Sequence, residues 1–412
     1  MKHIYIFDTV TRASGYGIGS YLDQLTRTLE GSDLIVTRVT FNAPGHEISV
    51  RYRKGIRYID IPVPHYAYGK MRDLSYLPTL HHYSVYLLQP YIAPDQENIF
   101  HLNSMQCLVL AKRLKEFFPG KIILTVHYMN WGLKLLGNKA KLLMLLRKPP
   151  EKYTDEERET TKRFFQEKEL LHACDRIIAI SRSSYENLHI LYQVPCSKLA
   201  LIPNALSDIS RTFGDISRLR AYFHFDNSEI IILFAGRLNP GKGVDILVKA
   251  FHLVLKEFPE ARLVIAGSGT MMDVLQKMAA PAWSKISFTG FLDKKHLSAL
   301  YSAADIGVVP SLYEEFGYVP LEMMMHRLPV IVNDVGGLSE IIEDGTNGLH
   351  TQLRTGKRHA TESARNLADR ILFLLENPDQ RRRMGRNGRK RYVQDYNGKK
   401  FRAQVLEFYS ER

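Results

Sequence analysis

Three carboxylates lie in an otherwise apolar stretch, SLYEEFGYVPLE (residues 311–322). A carboxylate accepts hydrogen bonds from neighbouring hydroxyl groups, and a glycine lets backbone N–H groups approach a ligand closely. Glu314 and Glu322, on either side of Gly317, are therefore candidate sugar-binding groups. Glu315 is expected to face solvent.

The position of Glu322 relative to the next helix offers a second interpretation. Pro320 suits the first position of a helix, so the sequence predicts Glu322 in the first helical turn. The N-terminal dipole stabilises a carboxylate there, so the alternative is that Glu322 is a simple helix-start acid. Glu314 instead precedes Gly317 in the loop itself, directly after a predicted strand at 305–310, which favours a role in ligand binding.

The stretch GRLNPGKG (236–243) follows a predicted strand and opens a helix. Its letters contain G-x-x-x-x-G-K, the pattern of a loop that binds phosphates through backbone N–H groups and a lysine. That loop requires Ser or Thr at the next position to hold Mg²⁺, and this chain has Gly243. A P-loop nucleoside triphosphatase is therefore disfavoured. Arg237 and Lys242 remain as two cations at a strand end, either for a diphosphate or as solvated surface charges.

Apolar runs that alternate with helical stretches predict two doubly wound parallel sheets. Continuous Val, Ile and Leu runs are typical of strands covered on both faces. In the first half the predicted strands are 2–8, 33–40, 56–63, 98–103, 121–127, 176–181 and 198–204. In the second half they are 229–236, 261–267, 285–290, 305–310, 329–333 and 348–351.

A segment without a strand pattern, 207–228, separates the two halves. The sequence therefore predicts an N-terminal Rossmann-like α/β domain at 1–206 and a C-terminal one at 207–395. A last helix, 396–412, is predicted to return to the N-terminal domain. Ligands of doubly wound sheets bind at the carboxyl ends of the strands, so a ligand in a cleft between the two domains would meet loops from both.

Composition excludes several classes of protein. With 412 residues, 45% hydrophobic and 24% charged, the chain has the composition of a soluble protein of two or three domains. No apolar run approaches the roughly 20 residues that span a bilayer, and the N-terminus is interpreted as a buried strand rather than a secretory segment. Cys107, Cys174 and Cys196 lack metal-site or disulfide spacing and are predicted to be buried thiols in a reducing cytosol.

The net charge of +13 favours an anionic partner. Two segments, 131–150 and 381–391, contain basic residues and no acid. Within the first, residues 133–148 form either a basic amphipathic helix on anionic lipid or a helix that faces the core with solvated lysines. The segment 381–391 is predicted to be a solvated helix face, with lipid or nucleic acid as less favoured partners.

The order and spacing of these motifs resemble retaining glycosyltransferases of family 4, which have the GT-B fold. The resemblance is carried by GR-x4-KG at 236–243, by the two glutamates of EEFGYVPLE at 314–322, and by VNDVGGLSEII at 332–342. It implies that the arginine and the lysine bind the donor diphosphate, that the second glutamate binds ribose hydroxyls, and that the first lies against the donor sugar. Here these residues are Arg237, Lys242, Glu322 and Glu314.

Further residues are assigned through the same resemblance. Gly17, in the Gly-rich stretch ASGYGIGSYLDQL (13–25), is expected to contact a ligand through its backbone. His127 matches the family's strand-end histidine, although Tyr128 stands where many members have aspartate. The segments HACDRIIAIS (172–181) and IPNAL (202–206) also match, the latter with alanine in place of the usual glycine. The predicted donor site is completed by Phe316, Gly317 and Tyr318.

The resemblance implies transfer of a sugar from a nucleotide-sugar donor, with retention, to a glycan, a lipid-linked or a small-molecule hydroxyl acceptor. Glu314, His127, Arg237 and Lys242 are the predicted catalytic residues. No metal or other cofactor is expected, because no D-x-D motif follows a strand. Nucleic acid is not an expected partner. The expected location is the cytoplasm, where the basic segments leave open a peripheral contact with an anionic membrane, and the expected pathway is cell-envelope or other glycan synthesis.

Three alternatives remain open from the sequence. A nucleotide-sugar epimerase on the same fold would act on UDP-N-acetylglucosamine without an acceptor. A P-loop nucleoside triphosphatase would show Mg²⁺-dependent ATP hydrolysis. A non-catalytic binding subunit would keep the scaffold without turnover.

Overall fold

The computed structural model describes residues 1–10, 17–62, 76–208, 210, 216–354 and 360–411. The chain divides into two compact units. The first contains Met1–Leu206 together with Gly398–Arg412, and the second contains Ser207–Asn397.

The first unit is built on one sheet with the strand order β3-β4-β2-β1-β5-β6-β7-β8 in the described residues. The strands are β1 (Lys2–Thr9), β2 (Ile35–Ala43), β3 (Ser49–Arg53), β4 (Ile56–Pro62), β5 (Glu97–Leu102), β6 (Lys121–Val126), β7 (Arg176–Ala179) and β8 (Leu199–Leu201). The helices are α1 (Gly17–Leu29), α2 (Leu77–Leu88), α3 (Leu108–Phe117), α4 (Asn130–Leu135), α5 (Lys139–Arg147), α6 (Asp155–Ala173) and α7 (Arg182–Ile190). Neighbouring strands are parallel except β3, which runs antiparallel to β4.

The second unit has the sheet order β11-β10-β9-β12-β13-β14, and its neighbouring strands are parallel. The strands are β9 (Ile230–Ala235), β10 (Ala261–Ala266), β11 (Ile286–Gly290), β12 (Ile306–Val309), β13 (Val330–Asn333) and β14 (Gly348–Thr351). The helices are α8 (Ile216–Tyr222), α9 (Val244–Val254), α10 (Met272–Ala279), α11 (Lys294–Ala303), α12 (Tyr318–Met325), α13 (Gly336–Ile341), α14 (Ala360–Glu376) and α15 (Pro378–Asp395). The chain leaves β9 toward β10 and later returns to β9's other side at β12, so the strand order reverses between β9 and β12.

The burial of the central strands explains why apolar runs in the sequence predicted them. All four residues of β12 and all four of β13 are buried, as expected for parallel strands covered on both faces. The parallel α/β architecture predicted from the sequence is confirmed. Strand β3 was not predicted: each of its five residues is exposed, so it lacks the burial pattern that identifies a strand.

The C-terminal helices attach to both units. Helix α14 packs on α9, and α15 packs on α12. The last helix, α16 (Gly398–Ser410), packs on α1 in the first unit. There Lys2 Nζ donates a hydrogen bond to the carbonyl of Tyr409 at 2.8 Å.

The basic segment 133–148 is not one amphipathic helix. It contains the end of α4 and the whole of α5, separated by Leu136 (φ 50°) and Gly137 (φ 73°) in the left-handed conformation. The side chain of Asn138 then caps α5 by accepting a hydrogen bond from the Lys141 backbone N–H at 2.9 Å. Among the described residues, no helix combines the length and the apolar character that crossing a membrane requires.

The arginines of 381–391 are only partly a solvated face, which corrects the prediction. Arg391 donates to Glu343 at 2.9 Å and to the Glu340 carbonyl at 2.8 Å. Arg389 pairs with Asp208, which tethers α15 to the segment that precedes α8. The prediction of three buried thiols is also wrong in one case: Cys107 and Cys174 are buried, but Cys196 is exposed.

Candidate functional site

Loops that follow adjacent strands of the second unit pack directly against one another. The Leu312 N–H donates to the Gly241 carbonyl at 2.8 Å and so joins the loop after β12 to the loop after β9. The Leu238 N–H donates to the Ser268 carbonyl at 3.0 Å and joins the loop after β10. Because the strand order reverses between β9 and β12, these loops surround the position where doubly wound sheets bind ligands.

Lys242 and Glu314 meet at this position. The Lys242 ammonium donates a hydrogen bond to Oε2 of Glu314, and the two side chains are 22% and 23% exposed. They lie 72 residues apart in sequence, so only the pairing of β12 beside β9 brings them together. A cation and a carboxylate thus share one partly buried site at the end of the two strands.

Arg237 lies on the same loop as Lys242, directly after β9, and its side chain is exposed. Lys242 ends a short 3-10 turn, Pro240–Lys242, and the next residue, Gly243, immediately precedes α9. The structure therefore places both predicted cations at one strand end. It joins Lys242, in particular, to the loop that carries Glu314.

Glycines let the loop after β13 close onto the loop of Glu314. The Gly337 N–H donates to the Glu314 carbonyl at 3.2 Å. A Cβ atom at Gly336, where φ is +50°, would lie 2.0 Å from that same carbonyl oxygen. The backbone of the motif VNDVGGLSEII thus packs closely against Glu314 and fixes its position. This close packing requires the two adjacent glycines of the motif.

The residues between the two carboxylates form the start of α12. Gly317 has φ 113° and ψ 88° and immediately precedes the helix. Phe316 is 5% exposed, and its ring lies 5.6 Å from Tyr318 and 6.1 Å from Tyr396. Phe316 is therefore a packing residue whose side chain anchors the loop, and the groups that this stretch presents at the helix N-terminus are backbone N–H groups.

Glu322 is not in the first helical turn, which corrects the prediction. Helix α12 begins at Tyr318, so Glu322 is its fifth residue. Its carboxylate lies against α11 and accepts a hydrogen bond from the Tyr301 hydroxyl at 2.8 Å. Burial raises the pKa of Glu322 to about 7, the opposite of the dipole effect expected from the sequence. Near neutral pH this carboxyl group therefore exists in both protonation states.

Glu315 does not face solvent as predicted. It is 5% exposed, and the Tyr313 hydroxyl donates a hydrogen bond to its carboxylate. In this stretch Glu314 pairs with Lys242, while Glu315 and Glu322 each accept a hydrogen bond from a tyrosine hydroxyl.

His127 lies in the first unit, at the end of β6. Asn103 donates through Nδ2 to the carbonyl of Phe7 at 3.1 Å, which leaves its Oδ1 as the atom 3.3 Å from His127 Nε2. The proton of the neutral ring therefore resides on Nε2, and Nδ1 is an acceptor. Burial lowers the pKa of His127 to about 3, so the ring is uncharged at neutral pH. Its edge-on neighbour is Tyr21, at 4.5 Å between ring centroids.

The other predicted residues of the first unit are placed as follows. Gly17 is the first residue of α1 and is half-buried, whereas residues 13–16 of its motif lie outside the described residues. Tyr128, which replaces the aspartate of many family members, is half-buried, and burial raises its pKa to about 12. Ala205 is buried.

Sequence reasoning missed two residues that hold these groups. Tyr301 supports Glu322 from α11, and the sequence carries no signal for it beyond a tyrosine in a helix. Glu167, buried on α6, accepts hydrogen bonds from the backbone N–H of Asn130 at 3.0 Å and from the Tyr192 hydroxyl at 2.5 Å. It thereby fixes the start of α4, three residues after His127. A lone glutamate in a charged helix gave no indication of this role.

Replacing Gly243 with alanine is expected to destabilise the second unit by about 2–4 kcal/mol. Gly243 has φ +63°, and a Cβ atom there would lie 2.2 Å from the Pro310 carbonyl oxygen. Gly290→Ala is the matched control, because Gly290 has φ +69° and a Cβ atom there would have no described atom within 4 Å. This control measures only the loss in free energy of unfolding that a side chain causes in a left-handed backbone conformation, about 1 kcal/mol. Urea denaturation of both variants tests the difference, and equal losses would contradict tight packing of the two loops.

Family models match both halves of the chain. One described as Glycosyltransferase Family 4 matches residues 16–208, and one described as Glycosyl transferases group 1 matches residues 215–391. Together these segments cover most of the chain. The chain belongs to glycosyltransferase family 4.

Individual relatives agree with this family. The chain is 37% identical over 180 residues to an uncharacterised glycosyltransferase of Methanocaldococcus jannaschii, a match that covers 42% of this chain and 46% of the relative. The matches span about half the length of the curated relatives.

Solved structures share the fold over nearly the whole chain. The sucrose-phosphate synthase of Thermosynechococcus elongatus superposes with a TM-score of 0.76 at 21% identity, covering 99% of this chain and 98% of that one. HepE of Anabaena, in complex with UDP-glucose, superposes with a TM-score of 0.73 at 18% identity, covering 98% and 99%. The GT-B fold expected from the motifs is thereby confirmed.

Proposed function

We propose that the protein transfers a sugar from a nucleotide-sugar donor to a hydroxyl acceptor with retention of the anomeric configuration. The pairing of Lys242 with Glu314 between β9 and β12 is the observation that carries this proposal. A cation there suits a diphosphate, and an adjacent carboxylate suits sugar hydroxyls. One contact therefore joins the binding groups for both parts of a nucleotide sugar.

The cations and helix termini would stabilise the leaving group. The bond that breaks joins the anomeric carbon to a phosphate oxygen, and the departing nucleoside diphosphate gains negative charge. Lys242 and Arg237 oppose that charge more strongly in the transition state than in the ground state. Gly243 and Gly317 immediately precede α9 and α12, and neither helix has a side-chain cap within the described residues. Their N-terminal N–H groups add to the positive potential.

The carboxylates and the histidine would position the rest of the substrate. Glu314 lies against the donor sugar and stabilises its oxocarbenium-like transition state, with no covalent nucleophile assigned. Glu322 accepts hydrogen bonds from the ribose, and Gly17, through its backbone, binds the donor from the first unit. His127, a neutral hydrogen-bonding group, contacts the sugar or the acceptor from the first unit. Attack on the same face from which the diphosphate leaves gives retention.

Lys242 and Arg237 supply the positive charge that a divalent metal would otherwise provide, so we propose that transfer is independent of metal. The HepE structure contains UDP-glucose, which makes UDP-glucose the first donor to test. The acceptor would be a glycan, a lipid-linked or a small-molecule hydroxyl compound of cell-envelope or other glycan synthesis in the cytoplasm.

A thermal-shift panel tests the donor site. UDP-, GDP- and ADP-sugars and ATP are compared, with EDTA or Mg²⁺, on the wild type and on Arg237→Ala. We expect one nucleotide sugar at about 100 times its Kd to stabilise the protein by about 2.7 kcal/mol, without metal and much less in the variant. Stabilisation only by Mg²⁺ and ATP would refute the proposal. Conversion of UDP-N-acetylglucosamine without an acceptor would instead identify an epimerase.

Donor affinity is expected to rise about tenfold between pH 6 and pH 8. The pKa of Glu322 is raised to about 7, so the ionised form, which accepts both ribose hydrogen bonds, is the minor form at pH 6 and the major form at pH 8. Calorimetric titration of the donor across this range measures the effect. Glu322→Gln should bind more weakly and remove this pH dependence, whereas an unchanged profile in the variant would show that another group titrates.

A further inference from the structure

The outward face of α4 and α5 is apolar where a surface helix is normally polar. Leu142 and Leu145 of α5 are buried. At 100° per residue, Leu143 and Met144 lie on the opposite side of the helix, and they are 38% and 73% exposed. On α4, Leu133 is 51% exposed. Each of these three side chains exposes more than a third of its surface to solvent.

Exposed cations lie on the same two helices as these apolar side chains. Lys134, Lys141 and Arg147 are exposed, and no carboxylate pairs with them in the part of the chain that the structure describes. The nearest acids in sequence lie beyond residue 150, and Glu157, in the first turn of α6, is already paired with Lys148 at 2.6 Å. We call these three cations, with Leu133, Leu143 and Met144, the α4–α5 surface.

We propose that the α4–α5 surface docks on a membrane that contains anionic lipid. A bilayer interface satisfies both kinds of side chain, because apolar groups enter the boundary of the acyl chains while Lys and Arg meet lipid phosphates. A nucleic acid would pair with the cations but leave Met144 and Leu143 in water. Each cation near an anionic surface strengthens binding about fivefold.

Docking there brings the bilayer close to the strand end that carries His127. Helix α4 begins three residues after His127, and buried Glu167 holds its first N–H group. If the proposed transfer is correct, on which this consequence alone rests, the acceptor is a lipid-linked hydroxyl compound at the membrane surface. Docking itself is measured without turnover, so its failure and the failure of the proposed transfer are distinguishable.

Co-sedimentation of the full chain with vesicles tests the proposal. We expect binding to phosphatidylcholine vesicles that contain about one third phosphatidylglycerol, little binding to phosphatidylcholine alone, and weakening as salt rises. The variant Leu143→Ser with Met144→Ser should lose at least about tenfold in binding. A single cooperative thermal unfolding transition should show that it remains folded, since neither side chain is buried. Absence of wild-type binding, or full binding by this variant, would overturn the proposal.

A charge-matched pair of variants separates this surface from the general effect of a basic protein. Lys141→Ser with Arg147→Ser should weaken vesicle binding by about tenfold or more. Arg383→Ser with Arg386→Ser removes the same charge from an exposed face of α15 and should leave binding nearly unchanged. Equal losses in the two variants would show that net charge alone attracts the protein to lipid, contrary to the proposal.

Discussion

Lys242→Ala is expected to lower kcat/KM for the donor by about 10²–10³-fold, the usual effect of removing one preorganised group that stabilises transition-state charge. The Lys242 ammonium lies at the junction of the loops after β9 and β12, where it is 22% exposed. A charge in such a partly buried position is screened less than one in water, so its attraction for a departing diphosphate is stronger. Most of the loss should appear in kcat, because the charge on the leaving group develops in the transition state.

Steady-state transfer with the donor identified by thermal shift measures this effect. Lys249→Ala is the matched control, since Lys249 is an exposed lysine of the adjoining helix α9 and its removal changes the net charge equally. We expect the control to retain near wild-type turnover. A loss in the Lys242 variant no larger than in the control would remove Lys242 from the catalytic site.

Glu314→Gln is expected to slow transfer by about 10²-fold while it strengthens the binding of free nucleoside diphosphate by about 3- to 10-fold. The first effect follows because the negative carboxylate stabilises the positive charge that develops on the sugar in the transition state. The second follows because Glu314 accepts a hydrogen bond from Lys242 in the unliganded site and so competes with a phosphate for that cation. The neutral amide keeps the shape of the side chain and weakens this competition, because its oxygen carries no net negative charge.

Calorimetric titration of UDP, together with turnover, tests both parts. Glu257→Gln, at an exposed glutamate just after α9, makes the same charge change away from the site and should alter neither measurement. Full turnover by Glu314→Gln would show that Glu314 is not a catalytic residue. Reduced turnover with unchanged or weaker UDP binding would show that the pairing with Lys242 does not limit access of the diphosphate.

The apolar runs determined most of the fold. Strands such as Ile306–Val309 are buried along their whole length. A strand covered on both faces consists of a continuous run of apolar residues, and such a run can be recognised in the sequence. The same runs placed Arg237 and Lys242 at one strand end and Glu314 at another. Strand β3 was not predicted, because all of its residues are exposed and it therefore lacks an apolar run.

The burial and the pKa of individual side chains, in contrast, depend on the tertiary structure. Glu315 is buried and Cys196 is exposed, opposite to the expectations, because neighbours from elsewhere in the fold determine exposure. The start of α12 at Tyr318 places Glu322 beyond the first turn. There burial raises its pKa, even though the hydrogen bond from the Tyr301 hydroxyl acts in the opposite direction.

The sequence by itself therefore determined the fold class and the residue types available at each strand end. The tertiary structure alone decided which of these residues meet. Lys242 and Glu314 are neighbours because the chain crosses from one side of β9 to the other before forming β12. Local periodicity reports which faces are buried, but it carries no information on strand order, and strand order sets the contacts of the site.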